Sequence, residues 1–308
     1  MARPARGMGA SAGRASPATV GRATTAPGAD QASTLMVRWR RAAALTLAAL
    51  AGAVATACSA ATEAAEGDIR PADGATLVVA ADLPAPGFWE GGAAGALDGG
   101  LEYGLAQELA ARSGLGLRVV DIAFTDIVHG RLGDADLALA QVSITDGRAA
   151  DVDFSVPYFD SAPTVLARSE EELTDLATAR DRRWAVREGT TQAGFVDEVI
   201  EPTSATLFVA DEAAAATAVL DGRADMALLD LSTALVLAKD VPGLAAIARF
   251  DTEERYGAVL PDGSRNLEAV DTALRAMDAD GTLAGLVTRW LEPRYAVDPA
   301  ALAVITAR

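Results

Sequence analysis

Short apolar runs alternate with amphipathic helical segments along most of the chain, and this alternation limits the folds open to it. Leu137–Val142 has the length and the uniformly apolar character of a buried strand. Asp225–Asp230 repeats that pattern, an apolar run between two acids. Between such runs lie helical segments, one of them marked by Leu101, Leu105 and Leu109 at a spacing of four residues. The alternation predicts an α/β protein built on parallel sheets.

Polar residues directly follow several of the predicted strands. Ligands of open α/β sheets bind just beyond the carboxyl ends of strands, so these positions predict a ligand site. They are Asp82, Ser143 through Arg148, Gly189 through Thr191, and Asp230. Each position taken alone also fits a structural role, since Asp and Thr are common helix caps.

Arg148 is the candidate anchor for a carboxylate. A guanidinium presents a planar fork of donors that pairs with two carboxylate oxygens at once, which a lysine cannot do. The alternative is a surface ion pair with Asp146 or Asp151. A helix predicted to begin at Thr190 or Thr191 would add free backbone N–H groups, which attract anions.

The beginning of the chain has the pattern of an export signal. Residues 1–35 lack apolar periodicity, and we expect them to be disordered or to result from a wrongly chosen start codon. Residues 36–57 place a basic segment before an apolar stretch, Ala42–Ala55, that is too short to span a bilayer. This combination predicts a signal peptide.

Cys58, the only cysteine, comes directly after this segment in the sequence Ala-Thr-Ala-Cys. The sequence resembles a bacterial lipobox, so we expect Cys58 to be lipidated and to anchor the protein. Cleavage after Ala57 by the ordinary signal peptidase is the alternative. Residues 58–75 are small, acidic and contain Pro and Gly, which predicts a flexible tether. The net charge of −17 argues against nucleic acid as a partner.

Several motifs together resemble the amino-acid-binding members of the bacterial extracellular solute-binding proteins, family 3, in their lipoprotein form. The segment from Asp136 to Tyr158 resembles the family signature, in which Ser/Thr-Ile-Thr is followed by an Arg and by Asp-Phe-Ser-x-Pro-Tyr. Similar family segments occur at Gly189–Thr191, Gly222–Asp230, Tyr256–Gly257 and Asp280–Thr282.

The resemblance implies two Rossmann-like α/β lobes joined by two hinge strands, as in type II periplasmic binding proteins. Lobe 1 would comprise residues 76–167 and 250–291, and lobe 2 would comprise residues 168–249. Residues 292–308 would form a C-terminal tail.

The resemblance also implies roles for individual residues. Arg148 would bind the α-carboxylate of an amino acid with help from Ser143 and from Thr190 or Thr191, while Asp230 would bind the α-ammonium. Asp82 matches a position that contacts the ligand side chain in some relatives, and Gln141 stands where relatives usually carry a small residue. Phe124 and Phe88 are candidates for aromatic contacts with the ligand.

The function implied is that of a substrate-binding protein of an ABC importer, with a permease as its partner and a lipid anchor in the membrane. We expect a monomer outside the cytoplasm, either anchored to the outer face of the cytoplasmic membrane or periplasmic. We expect no catalytic residues, cofactor or metal, because the sequence shows no acid/base pair, nucleophile or metal cluster beyond the anchors. The alternatives are a sensory receptor lobe without transport and a cyclohexadienyl-dehydratase-like enzyme on the same fold.

Overall fold

Two mixed β-sheets with helices on both faces form two lobes within residues 68–307, the part of the chain that the computed structural model describes. The predicted segments 1–35 and 36–57, and Cys58, lie outside the described residues. No helix within 68–307 combines the length and the hydropathy needed to cross a membrane. The predicted two-lobed α/β fold is confirmed.

The sheet of lobe 1 has five strands, and its first strand in chain order is buried on both faces. In spatial order the strands are β4 (Gly116–Asp121), β1 (Thr76–Ala81), β5 (Leu137–Ala138), β14 (Val259–Pro261) and β6 (Val152–Phe154). Leu77 and Val79 of β1 pack beneath three helices, α1 (Leu101–Arg112), α7 (Leu267–Ala279) and α8 (Thr282–Trp290). Val78 and Ala80 face the short helix α2 (Phe124–Ile127). This alternation follows from the two-residue period of a strand.

The sheet of lobe 2 has six strands. In spatial order they are β10 (Leu207–Val209), β9 (Trp184–Arg187), β11 (Met226–Asp230), β8 (Pro163–Arg168), β12 (Leu244–Phe250) and β15 (Ala303–Ile305). One face packs on α3 (Leu176–Arg180) and on α4 (Thr191–Phe195), which continues as a π-helical turn over Val196–Ile200. The other face packs on α5 (Glu212–Leu220) and α6 (Leu231–Asp240). The sheet is therefore buried on both sides.

A two-stranded antiparallel ribbon carries the chain from lobe 1 to lobe 2 and back, and the segment after α8 crosses again to reach β15. This hinge ribbon consists of β7 (Phe159–Ser161) and β13 (Glu254–Tyr256). Phe159 and Tyr256 pair across it, and their rings stack with centroids 5.5 Å apart. A small hairpin of β2 (Glu90–Gly91) and β3 (Leu97–Gly99) precedes α1.

The sheets are mixed and not purely parallel. In lobe 1, β14 pairs antiparallel with β5 and β6, and in lobe 2, β8 pairs antiparallel with β11 and β12. Each lobe receives one of these strands, β14 or β8, directly after the chain crosses from the other lobe. That strand runs away from the cleft and is therefore antiparallel to the strands that point toward it.

The lobe boundaries also differ from those predicted. Pro163–Arg168 pairs along its length with β11, so the second lobe begins at this strand and not at residue 168. Within the predicted C-terminal tail, β15 adds an edge strand to the same sheet. Residues 69–75, predicted as part of a tether, lie against lobe 1: Ile69 is buried in its core, and the Arg70 backbone N–H donates to the Asn266 side chain at 2.9 Å.

Candidate functional site

A cavity of about 160 Å³ lies in the cleft between the lobes. Strands β1, β5, β9 and β11 end at this cavity, and α4, α5 and α6 begin there. The predicted ligand residues that line it are Asp82, Phe124, Gln141, Ser143, Arg148, Thr190, Thr191 and Asp230. These residues come together at one cavity, and that they bind a ligand there stays a prediction of the rule that places ligands beyond the carboxyl ends of strands.

Arg148 is held in the cleft by backbone carbonyl groups from both lobes. Its Nη1 donates to the carbonyl oxygen of Ser143 at 2.9 Å, and its Nη2 donates to that of Gly189 at 3.2 Å. Among residues 68–307, the hydrogen-bond partners of its guanidinium are these two carbonyl oxygens and not Asp146 or Asp151, so the predicted alternative of a surface ion pair does not hold. Burial lowers the pKa of Arg148, while Asp230 and Glu254 oppose this shift. The guanidinium is fixed in position and keeps its charge available to an anion.

Asp230 does not cap the helix that it precedes. It occupies the N-cap position of α6, but its side chain makes no capping hydrogen bond. Instead its Oδ1 accepts from Gln192 Nε2 at 2.7 Å, and the hydroxyl of Tyr256 also bonds to this carboxyl group. Enclosure in the cleft and the nearby charge of Glu254 raise the pKa of Asp230 well above its ordinary value. An ammonium group in the cavity would relieve both effects.

Glu254 of the hinge ribbon gathers the polar groups behind the cavity. Its Oε1 accepts from Ser143 Oγ and from Thr191 Oγ1, each at 2.7 Å. Gln192 Nε2 donates to both carboxylate oxygens of Glu254, at 3.2 and 3.3 Å, and also to Asp230. Gln192 therefore bridges two carboxylates that would otherwise repel each other. Ser143 and Thr191, predicted to help bind the ligand carboxylate, have their hydroxyl groups directed to Glu254.

Thr190 and Thr191 have different roles, which the sequence did not distinguish. Thr190 caps α4, since its Oγ1 lies 3.3 Å from the backbone nitrogen of Ala193, which donates to it. Thr191 is the first residue of the helix, and its side chain contacts Ser143 and Glu254 across the cleft. The contact between Thr191 and Ser143 joins the two lobes.

A second arginine lies at the far end of the cavity. Arg187, the last residue of β9, donates from Nη2 to Asp82 of lobe 1 at 2.7 Å and from Nη1 to Glu212 of α5 at 3.0 Å. Its guanidinium carbon lies 4.9 Å from the centroid of the Phe124 ring. That of Arg148 lies 5.5 Å from the same centroid. Phe124 thus contacts two guanidinium groups and connects the two ends of the cavity.

Gln141 is positioned from beneath by a buried carboxyl group. Its φ of 49° lies in the left-handed region, which a side chain other than glycine rarely adopts. The Gln141 backbone N–H donates to Glu102 Oε1 at 2.8 Å, and its side-chain amide donates to Oε2. Glu102 is fully buried and also accepts from Trp89 Nε1 at 2.7 Å and from the Tyr158 hydroxyl. This network stabilises the turn that leads to Ser143.

Phe88 does not reach the cavity. It is 1% exposed in the core of lobe 1, where its ring contacts those of Phe159 and Tyr256 edge-on, with centroids 5.8 and 6.2 Å away. The preceding residues Pro84, Ala85 and Pro86 line the cavity instead. The sequence did not exclude Phe88 from the ligand site, because an irregular loop has no periodicity that indicates where its side chains point.

Arg187, Gln192, Glu212 and Glu254 are site residues that the sequence analysis missed. Arg187 had a usable signal, because a charged residue that ends an apolar strand lies at the ligand-facing edge of the sheet. Glu254 had none, since it stands in the run Asp-Thr-Glu-Glu-Arg, where either glutamate could face the cleft.

Comparisons with known proteins find a matching family model and several similar chains. The family model of the bacterial extracellular solute-binding proteins, family 3, matches residues 77–293. The chain is 27% identical over 202 residues to the amino-acid-binding protein AabA of Dichelobacter nodosus, which covers 63% of this chain and 80% of that protein. It is 26% identical over 211 residues to a cyclohexadienyl dehydratase of Pseudomonas aeruginosa, over 64% of this chain and 75% of that enzyme.

Among solved structures, an ancestral arginine-binding protein bound to arginine matches with a TM-score of 0.63 and 26% identity. The match covers 70% of this chain and 97% of that chain. The two-lobed fold and the sequence motifs therefore point to the same family.

Replacing Glu102 with Gln should lower the free energy of unfolding by about 1–3 kcal/mol. In the variant, the N–H₂ group of the new amide would face N–H and O–H donors that bond to the carboxyl oxygens of Glu102 in the parent. Burial raises the pKa of Glu102, so its contribution to stability is greatest at low pH and is lost as the pH rises through the raised value. The variant should therefore lose less stability than the parent as the pH rises from the ordinary glutamate range through the raised pKa of Glu102.

Urea denaturation at several pH values measures both effects. Glu268→Gln, at an exposed position in the first turn of α7, is the matched control and should keep the parent's stability and pH profile. Equal pH profiles for Glu102→Gln and the parent would contradict the raised pKa of Glu102.

Proposed function

Because the chain belongs to the bacterial extracellular solute-binding proteins, family 3, we propose that it captures an α-amino acid or a similar small zwitterion between its lobes for an ABC importer. The observation that carries the proposal is the pair formed by Arg148 and Asp230 on one cavity. Arg148 offers a fixed positive charge that has no carboxylate partner among residues 68–307. Asp230 is a carboxyl group whose pKa is raised by its burial and by the nearby charge of Glu254.

A zwitterion satisfies both groups at once. Its carboxylate would pair with Arg148, where a guanidinium can form two parallel hydrogen bonds. Its ammonium would lie beside Asp230 and near Glu254, and would neutralise the excess negative charge there. Leaving either charge enclosed without a partner costs free energy, which is the physical basis for selecting a ligand with both groups.

The contacts across the cleft support capture by lobe closure. Arg148 of lobe 1 reaches Gly189 of lobe 2, and Ser143 of lobe 1 reaches Thr191 of lobe 2. Two-lobed receptors of this kind close about a hinge, and a transporter can distinguish the closed form from the open one. We propose that the permease of an ABC importer reads this closed form of the protein as a monomer.

Export and lipid anchoring belong to the same proposal. The basic and apolar segments within residues 36–57 and the sequence Ala-Thr-Ala-Cys support processing at Cys58. The anchor would hold the lobes outside the cytoplasmic membrane, next to the permease.

Arg148→Ala should abolish binding of the amino acid while the protein still folds, because Arg148 lines the cavity and belongs to none of the four apolar clusters of the described residues. A thermal-shift screen of residues 59–308 against the twenty amino acids identifies the ligand, since a ligand that binds only the folded state raises the melting temperature. Arg275→Ala is the matched control, a surface arginine paired with Asp271 on α7. Unchanged affinity in Arg148→Ala would show that the carboxylate binds elsewhere.

Asp230→Asn should weaken binding by about 2–5 kcal/mol, because the neutral amide gives the ammonium no counter-charge. In the parent, the raised pKa of Asp230 means that ligand binding expels a proton, so affinity should rise with pH until Asp230 is ionised in the free protein. The variant should lack this pH dependence.

Calorimetry in buffers of different ionisation enthalpy measures the proton release directly. Asp251→Asn, at an exposed position outside the cavity lining, should bind and release protons as the parent does. Proton release that persists in Asp230→Asn would rule out Asp230 as the group that ionises.

Cys58→Ala should prevent lipidation and shift the protein from the membrane fraction to the medium or the periplasm. Mass spectrometry of the mature N-terminus, together with cell fractionation, measures both effects. Retention of the variant in the membrane fraction would show that another segment anchors the protein.

A further inference from the structure

Arg187 occupies a place in the cleft that is built to receive a cation. Two carboxylates converge there, Asp82 from lobe 1 at 2.7 Å and Glu212 from lobe 2 at 3.0 Å. The Phe124 ring lies beneath, with its centroid 4.9 Å from the guanidinium carbon. Two acids over an aromatic ring are a receptor for a guanidinium or an ammonium group. The chain fills this receptor with a guanidinium of its own.

The filled receptor lies at the end of the cavity where a ligand side chain would extend. Arg148 and Asp230 line the same cavity as Asp82, Arg187 and Glu212. A zwitterion anchored by the first two residues therefore shares the cavity with the other three. The side chain of Arg187 is only 17% exposed, so it closes this end of the pocket.

The space that remains is small. The cavity of about 160 Å³ is close to the roughly 150 Å³ of an engineered protein cavity that admits benzene. A molecule of that size corresponds to an amino acid with a short side chain. A long side chain ending in a charge would have to displace Arg187 from Asp82 and Glu212.

Charge limits the ligand further. A cationic side chain would meet the guanidinium of Arg187, and an acidic one would meet the carboxylates of Asp82 and Glu212. A short uncharged side chain avoids both repulsions and leaves the three groups paired with one another.

We infer that Arg187 determines specificity by occupying the cation subsite of the cleft, so that the protein binds short, uncharged α-amino acids and excludes arginine and lysine. This inference rests on the proposed function. It has a direct consequence: removal of the guanidinium vacates the subsite and leaves Asp82 and Glu212 to bind the cationic side chain of a ligand.

The test compares the parent and Arg187→Ala by calorimetry with glycine, alanine, serine, arginine and lysine. The parent should bind at least one of the three short amino acids and bind arginine and lysine at least about tenfold more weakly. Arg187→Ala should bind arginine or lysine at least about tenfold more tightly than the parent does. The variant Arg187→Ala with Asp82→Asn should lose most of this gain, because one of the two receptor carboxylates is gone.

Arg183→Ala is the matched control. Arg183 precedes the same strand at its opposite end, where it pairs with Asp225 outside the cavity lining. Its replacement removes an ion-paired guanidinium from lobe 2 and should leave the order of ligand affinities unchanged.

The other outcomes separate this inference from the proposed function. A parent that binds arginine as tightly as the short amino acids overturns the inference and leaves amino-acid binding intact. Circular dichroism checks that Arg187→Ala folds. If the folded variant gains no affinity for arginine or lysine, the inference is overturned, and Arg187 only forms an ion pair between the lobes. A parent that binds none of the twenty amino acids overturns the proposed function, and the inference falls with it.

Discussion

The cleft depends on the hinge ribbon, through which the chain passes twice between the lobes. β7 and β13 pair antiparallel, and the stacked rings of Phe159 and Tyr256 fix the ribbon against the core of lobe 1. Because side chains alternate along a strand, Glu254 and Tyr256 lie on one face of β13 while Arg255 between them is exposed. That face meets Asp230. The ribbon therefore joins the lobes and also supplies the polar floor of the site between them.

The charges in the cleft are arranged in two groups that differ in how completely they are paired. At the far end, Arg187 has two carboxylate partners, Asp82 and Glu212. At the near end, Asp230 and Glu254 share the amide of Gln192, and Arg148 is held by carbonyl oxygens instead of a carboxylate. An enclosed charge without a counter-charge is costly, so the near end gains most from a ligand that carries both signs. The end at Arg187 gains little from a further charge, because its charges are already paired. For this reason we assign anchoring of the ligand to the near end and exclusion of charged side chains to the far end.

Strand positions in the sequence predict the α/β class and several of the residues that line the cavity, whereas the two lobes were implied by the family resemblance. A residue such as Asp82 or Asp230 comes directly after an apolar run, and the parallel strands of a sheet bring such residues to one edge. The same logic fails where position along the chain does not fix direction. Phe88 lies in an irregular loop and turned out to belong to the core, and Glu254 lies in a ribbon that forms only when the chain returns from lobe 2. The antiparallel members of each sheet were missed for a related reason, since crossing between lobes is a property of the whole chain.

Contacts between the lobes that do not require a ligand also affect how the protein discriminates between small and large ligands. The ion pair of Asp82 with Arg187 and the hydrogen bond from Arg148 to the backbone carbonyl of Gly189 join the lobes without a ligand. A ligand shifts the equilibrium toward closure only by the free energy with which it prefers the closed form to the open one. Contacts already made by the chain lower the amount that the ligand must supply, so a small molecule held mainly by its carboxylate and ammonium can suffice. A larger ligand that separated Arg187 from Asp82 would lose part of that closure free energy as it bound. Selection for short side chains and ease of closure therefore have the same origin, the guanidinium that lobe 2 places against lobe 1.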